Sequence, residues 1–459
     1  MPVSPARQIA FQILCQVESR KEYAVDLLHS ERVSHLKEPD RKLATELVMG
    51  VLRWRGDLDF EIERLSGKQV RHFDLEILVI LRLGVYQIRF LRKVPKAAAV
   101  NESVELVKLA RKRSAAGLVN AVLRKCEPAV GRNEGDRTPT PSARASDADQ
   151  EVLDSACRSM PAWLFERWVQ NFGLDSARSL ARASVAIPHS TLRLSVTGPE
   201  HVAEMQRRLA AAGVQTQPGK FAPTALRIEA GHIRSTEAWR HGQLVVQDEA
   251  SQIAGSLVAP AAAQAVLDLC AAPGIKSSQI ATALSSGRLV ACDFSAPRLR
   301  TLLKLLPRMV PCGVRLGIVR LDATRGLPFG AIFDRILIDA PCSGTGTLAR
   351  NPEIKWRLQP QDLTRLQETQ SAMLQHGLAV LADGGRLVYS TCSLEPEENE
   401  QAVERVLAGN SGFRALDRDE LAQEFPHLAT LFVERGYLRT RPDLHEMDGF
   451  FAAVITRRT

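Results

Sequence analysis

AVLDLCAAPGIKSSQIATALSSGRLVACD, residues 265–293, runs from one apolar stretch through a turn of small residues and a helix-like segment into a second apolar stretch that ends on Asp293. AVLDLC and GRLVACD are short, almost continuously apolar runs, as expected of strands covered on both faces. KSSQIATAL between them has helical spacing. Strand, small-residue turn, helix and strand form the repeating unit of a parallel sheet. The rhythm continues through RLGIVRLDA (315–323), FDRILIDAP (333–341) and GGRLVYSTC (384–392), with APRLRTLLKLL and LTRLQETQSAMLQHGLAVL as intervening helices. The sequence therefore predicts a parallel α/β sheet with helices on both faces. Ligands in such sheets bind beyond the carboxyl ends of the strands, where the strand order switches.

Those ends carry the chemistry. Ala271, Ala272, Pro273 and Gly274 permit close approach of a ligand to the backbone, and the helix that follows offers free N–H groups. Asp293 ends the next strand 19 residues after Gly274, where a carboxylate can accept from ribose hydroxyls. Asp322 is placed at the end of the third strand and Asp339 at the end of the fourth. A single aspartate there is often a helix cap, but a small-residue turn followed by three such acids points to a nucleoside pocket. No GxxxxGK[ST] loop is present, so phosphate is not the expected group.

Two cysteines close matching strands. Cys342 lies in DAPCSGTGT and Cys392 in STCSLEPEEN, each directly followed by Ser. A thiolate is a strong nucleophile where its setting favours ionisation. Methylation at C5 of a pyrimidine needs such a nucleophile at C6, a proton-transfer group, and a carboxyl or similar group at the ring edge. Cys392, Cys342 and Asp339 supply that set. Cys270 and Cys292 also end strands, so position alone does not choose among the thiols, and inert burial or a redox pair stays open.

The remainder sets the context. Residues 5–128 read as successive helices, with apolar residues three and four apart. Residues 82–125 hold 11 Lys and Arg against Glu102 and Glu105, densest at Arg111-Lys112-Arg113 and Arg124-Lys125. With a net charge of +8 and a pI near 9.2, this run reads either as a solvated helix face or, with so few acids nearby, as a phosphate footprint for nucleic acid. GRNEGDRTPTPSARASDADQ (131–150) reads as a mobile linker. TLRLSV and ALRIEAG flank the helical HVAEMQRRLAAAG, giving a small α+β segment that ends near residue 240. The start lacks a secretory pattern, and 254–274 is broken by Pro260, Gln264 and Asp268. Eight cysteines with no CxxC pair argue against zinc or disulfide scaffolds and for a reducing, cytoplasmic setting.

LDLCAAPGIK, DAPCSGTGTLARNPEIKW and YSTCSLEPEENE, in that order, closely resemble the motifs of S-adenosylmethionine-dependent RNA cytosine-C5 methyltransferases. The whole layout resembles the RsmB/Sun/Fmu-type branch that acts on 16S ribosomal RNA. The resemblance implies an all-α NusB-like RNA-binding domain at 1–130, a linker at 131–154, a small α+β domain at 155–240 and a Rossmann-like methyltransferase domain at 241–459. It implies that Cys270, Ala271, Ala272, Pro273, Gly274, Ile275 and Lys276 form the S-adenosylmethionine loop, with Asp293 at the ribose, Asp322 near the adenine and Asp339 where cofactor meets base. It makes Cys392 the nucleophile and Cys342 the residue that assists deprotonation or release. QDEASQ (247–252) and DGFFAAVI (448–455) match the family's opening segment and closing strand. The partner implied is 16S rRNA, with no metal or membrane and a monomeric state. One departure is Ile275, where the family usually has glycine. Ile resists positive φ, so the loop is expected to keep it in ordinary backbone geometry.

Overall fold

The computed structural model describes residues 3–19, 22–128, 147–195 and 198–458. The chain forms two compact units, Met1–Ile187 with Leu348–Leu358, and Pro188–Thr347 with Gln359–Thr459.

The first unit is helical. Its spine is Glu38–Ser66, which starts with Pro39 and the acids Glu38 and Asp40 in its first turn and stops at Gly67, φ +67°. Leu47, Leu52, Leu58 and Ile62 of that helix are fully buried in one core with residues of Pro5–Glu18, Leu75–Phe90, Lys96–Leu109 and Ala116–Lys125. The basic run is only partly a surface. Arg82 is buried, donating to Asp59 at 2.6 Å and to Glu18 at 2.9 Å, because it falls on the inward face of its helix. Lys112 pairs with Asp74 at 2.7 Å. Arg111, Arg113, Arg124 and Lys125 are exposed. The expected linker lies mainly outside the described residues, but its last part is helix Asp147–Arg158. There Ala156 is buried and Arg158 pairs with Asp57 at 2.8 Å, which anchors the segment. Helices Ala162–Phe172 and Leu174–Val185 also pack with this unit.

Leu348–Leu358 likewise packs with the helical unit. Lys355 is fully buried and donates to the carbonyl of Arg53 at 2.9 Å, while Trp356 Nε1 donates to the carbonyl of Leu52 at 3.1 Å. Burial, then the neighbouring Arg53 charge, pulls the Lys355 amine down to about 7. Between pH 7 and the ordinary lysine range the unfolded chain thus binds more protons than the folded one, and stability rises with pH. Stability against urea is expected to climb from pH 7 to 9.5 more steeply in the wild type than in Lys355→Met. The difference is at most about 1.4 kcal/mol per pH unit, the limit for one proton. Parallel slopes would show that Lys355 does not titrate in this window.

The second unit holds two sheets. β1 (Thr191–Leu194), β2 (Gln215–Pro218), β3 (Ala225–Ala230) and β4 (Leu244–Val246) form an antiparallel sheet in the order β2-β3-β1-β4. β5 (Ala265–Asp268), β6 (Gly287–Asp293), β7 (Val314–Arg320), β8 (Phe333–Asp339), β9 (Leu381–Thr391), β10 (Phe413–Ala415) and β12 (Phe451–Arg457) form the second, in the order β10-β12-β9-β8-β5-β6-β7. β11 (Leu438–Arg439) pairs with β12. β5 to β9 are mutually parallel, as the sequence predicts. β12 runs antiparallel to β9, and β10 and β11 pair antiparallel with β12, which makes the sheet mixed. The order switches at β5, between β6 and β8. Asp339 stands beside Ser390, and Thr391 beside Phe451, so the motif-bearing ends of β8 and β9 meet at one edge.

Candidate active site

Gly274 has φ +110° and caps the helix Ile275–Leu284, so the left-handed conformation falls on the glycine and Ile275 begins the helix. A side chain at 274 would also bring a Cβ within 2.9 Å of Leu302. The departure at Ile275 is therefore accommodated as expected. Two carboxylates hold this turn. Asp268, buried at the end of β5, accepts from the Ser277 hydroxyl at 2.6 Å and the Cys270 N–H at 3.3 Å. Burial raises it to about 7 against the Ser277 hydrogen bond, with the Asp339 charge adding to the rise. Asp293 accepts from the N–H groups of Ser295 at 2.9 Å and Ala272 at 3.3 Å, with Arg298 at 3.6 Å. Asp322 lies two residues past β7 rather than within it. It is half-buried, with one oxygen accepting from the Thr324 hydroxyl at 2.6 Å, the bond that chiefly lowers its pKa.

Asp339 ends β8 next to Ser390 of β9. It accepts from Lys276 Nζ at 2.7 Å and the Ser390 hydroxyl at 3.0 Å. Burial opposes the charge on Lys276, but the charge and hydrogen bond of Asp339 outweigh it, with Cys392 adding to the same effect, so the amine is raised and stays protonated. The same ammonium lies 5.0 Å from the centre of the Phe450 ring. Cys342 Sγ and Cys392 Sγ are 3.2 Å apart. The Cys342 thiol is pushed well up, first by its hydrogen bond with Cys392 and then by burial, with the charges of Cys392 and Glu398 following. Cys292 is fully buried and burial raises it to about 12; burial also pushes Cys270 well up. Of the four strand-end cysteines only Cys342 and Cys392 meet.

The serine after each thiol has a common purpose. Ser343 and Ser393 both donate their hydroxyls to one oxygen of Glu398, whose other oxygen accepts from the Ser343 N–H at 2.7 Å and Gln370 Nε2 at 3.0 Å. Burial raises the Glu398 carboxyl in spite of these donors. The Gly346 N–H donates to the Cys392 carbonyl at 2.9 Å, and the Leu394 N–H to the Thr345 hydroxyl at 2.9 Å. Gly346 in turn lies against Gly449, where a Cβ would come 2.0 Å from the carbonyl oxygen. One buried carboxyl and two further hydrogen bonds thus join two loops, and so set the spacing of two sulfurs.

Residues 256–456 match the model of the family "16S rRNA methyltransferase RsmB/F", residues 4–128 that of the "NusB family", and residues 160–233 that of the "Methyltr_RsmF/B-like, ferredoxin-like domain". A relative from Synechocystis, "Probable ribosomal RNA small subunit methyltransferase B", is 32% identical over 98% of this chain and 99% of its own. The "Ribosomal RNA small subunit methyltransferase B" of Vibrio cholerae is 30% identical over 95% of each. The chain belongs to the RsmB/F family of 16S rRNA methyltransferases. Among solved structures, "Crystal Structure of PH0851" shares the fold over 99% of both chains at 22% identity and a TM-score of 0.75. A methyltransferase homolog protein from Pyrococcus horikoshii is 29% identical, with a TM-score of 0.55, over 69% of this chain and all of its own.

As an RsmB/F member the chain is a ribosomal RNA methyltransferase that uses S-adenosylmethionine. All eight cysteines are free, and no described helix is long and apolar enough to cross a membrane. Sequence reasoning did not single out Asp268, Phe450 or Glu398. EPEENE offers Glu395, Glu397, Glu398 and Glu400, and nothing in their spacing selects the one that joins the loops. The repeated Cys-Ser pair was the available signal for a shared partner.

Proposed function

We propose that this RsmB/F member methylates C5 of a cytosine in 16S rRNA through a covalent bond between Cys392 and C6. The observation that carries the reading is the 3.2 Å approach of Cys342 and Cys392 beside the Lys276–Asp339 pair. The donor set suits an adenosyl sulfonium. Acids at consecutive strand ends offer acceptors to hydroxyl and ammonium groups, and the Ala271–Gly274 turn has little side-chain bulk. Cys270 to Lys276 with Asp293, Asp322 and Asp339 would hold it, and when bound it supplies an electrophilic methyl group.

The chain's own residues do the rest. Cys392, beside the Lys276 ammonium, adds as thiolate to C6 and makes C5 electron-rich. Asp339, held in place by Lys276 at 2.7 Å, can accept from the cytosine amino group, which uracil lacks. The largest cause that holds the proton on Cys342, a hydrogen bond, comes from Cys392, as does a further charge, while burial and the Glu398 charge favour the protonated form throughout. The two Cys392 contributions end when the Cys392 sulfur bonds to carbon. Cys342 can then ionise and take the C5 proton, and the freed electron pair expels the Cys392 thiolate. A base stacked inside RNA must be flipped out to reach these sulfurs. Incubation with unmodified 16S rRNA and methyl-labelled S-adenosylmethionine is expected to place label in 5-methylcytidine. Label in another nucleoside of that RNA would overturn the C5 assignment, and label only in transfer RNA would overturn the substrate.

A further inference from the structure

Arg193 in β1 is 3% exposed, about as buried as Arg82. Arg82 is neutralised by Asp59 and Glu18. Arg193 has no acidic partner among the described residues: Nε donates to Gln247 Oε1 at 2.7 Å and Nη2 to Ser278 Oγ at 2.8 Å. Both partners are neutral, and three of its five N–H bonds are left uncommitted. Burial alone lowers its pKa, to about 10. A charge taken from water without a counter-charge is expensive, and native proteins rarely keep one without a use.

Arg193 lines a cavity of about 240 Å³ between β1, β4 and the helix Ile275–Leu284. Arg308, exposed and free of any ion pair among the described residues, lines the same cavity, with Ser195 and Thr282 at its wall. None of its lining residues is acidic. Two arginines lining one cavity with no acidic residue in its wall make a setting for a multidentate oxyanion, which Arg recognises through its planar fork. Ser278 and Thr282 belong to the helix that follows the Ala271–Gly274 turn, so the cavity shares a wall with the catalytic domain.

We propose that Arg193 and Arg308 form a phosphate-binding site that takes a backbone phosphate of the RNA substrate. The inference rests on the reading of rRNA as substrate. A phosphate fixed on this wall would set the register of the strand relative to the thiols without contributing sequence information. Lys in place of Arg193 would keep the charge and lose the fork.

The test is binding of an unmodified 16S rRNA transcript, by fluorescence anisotropy, to wild type, Arg193→Gln, Arg193→Lys and Arg308→Gln between 50 and 300 mM salt. Each Arg→Gln change should make the log–log salt slope shallower by roughly 0.7 to 0.9, the value of one phosphate contact. At 100 mM salt it should weaken binding about 5- to 20-fold. Arg193→Lys should retain the slope and lose part of the affinity. Arg308 is on the surface, so its variant keeps the test valid if Arg193→Gln does not fold. Unchanged slopes in folded variants, with normal methylation of the transcript by wild type, would overturn the site and leave the substrate reading intact. Failure of the wild type to bind or methylate the transcript would instead overturn the substrate. Inorganic phosphate at constant ionic strength separates the two sources. Competition with the transcript in wild type, reduced in Arg308→Gln, supports an RNA phosphate. A phosphate-dependent rise in melting temperature with unchanged RNA slopes would assign the site to the free ion and overturn the RNA contact.

Discussion

Cys392→Ala is expected to abolish methyl transfer, with kcat lower by on the order of 10⁴ or more, while S-adenosylmethionine binds with Kd within about threefold of wild type. The size follows from the chemistry. Without a bond at C6 the C5 carbon is not nucleophilic enough to be methylated. The near-constant Kd follows from position. The small-residue turn is held by Asp268, Asp293 and Ser277, none of which contacts Cys392. Cys392→Ser should be as inactive, since a hydroxyl does not ionise at neutral pH. Calorimetric titration of the cofactor and single-turnover methylation of rRNA check the two halves. Residual turnover above about 1% of wild type would rule out Cys392 as the nucleophile.

Cys342→Ala is expected to fail later in the cycle. Turnover should fall by about 10² to 10⁴, the usual contribution of one positioned proton-transfer group, while the step at C6 remains open. Protein and RNA should then accumulate as a complex that survives denaturation. The substitution removes the hydrogen bond between the sulfurs but leaves Lys276 beside Cys392, so the nucleophile stays in place. Ser343 and Ser393 remain joined to Glu398, which keeps both loops in place. An inactive, folded Cys342→Ala protein that binds RNA and cofactor but yields no denaturation-resistant complex would remove Cys342 from the release step.

The parts of the molecule that were legible in the sequence are those specified locally. Residues 265–293 announce strand, turn, helix and strand because each segment's apolar spacing and turn chemistry agree. The acids and thiols at the strand ends follow from that pattern once the ends are placed. The antiparallel edge was less legible. β10 and β11 span three and two residues, too few for a period to show. The fate of Leu348–Leu358 depends on where Arg53 and Leu52 present their carbonyls, which no local pattern records. Arg82 and Arg193 show the same limit from the side of charge. In the sequence each is one more basic residue; in the fold one is a neutralised core ion pair and the other a buried cation lining a cavity. Glu398 was hidden among equivalent acids, and only the three-dimensional meeting of two Cys-Ser turns singles it out.

The measurement to make is peptide mapping by mass spectrometry of the complex that Cys342→Ala forms with unmodified 16S rRNA and S-adenosylmethionine, after digestion of both components. A methylated cytidine attached to the peptide that carries Cys392 is the predicted result. A cytidine on any other residue, or no covalent complex from a variant that binds both substrates while the wild type methylates the same RNA, would contradict attack by Cys392 at C6.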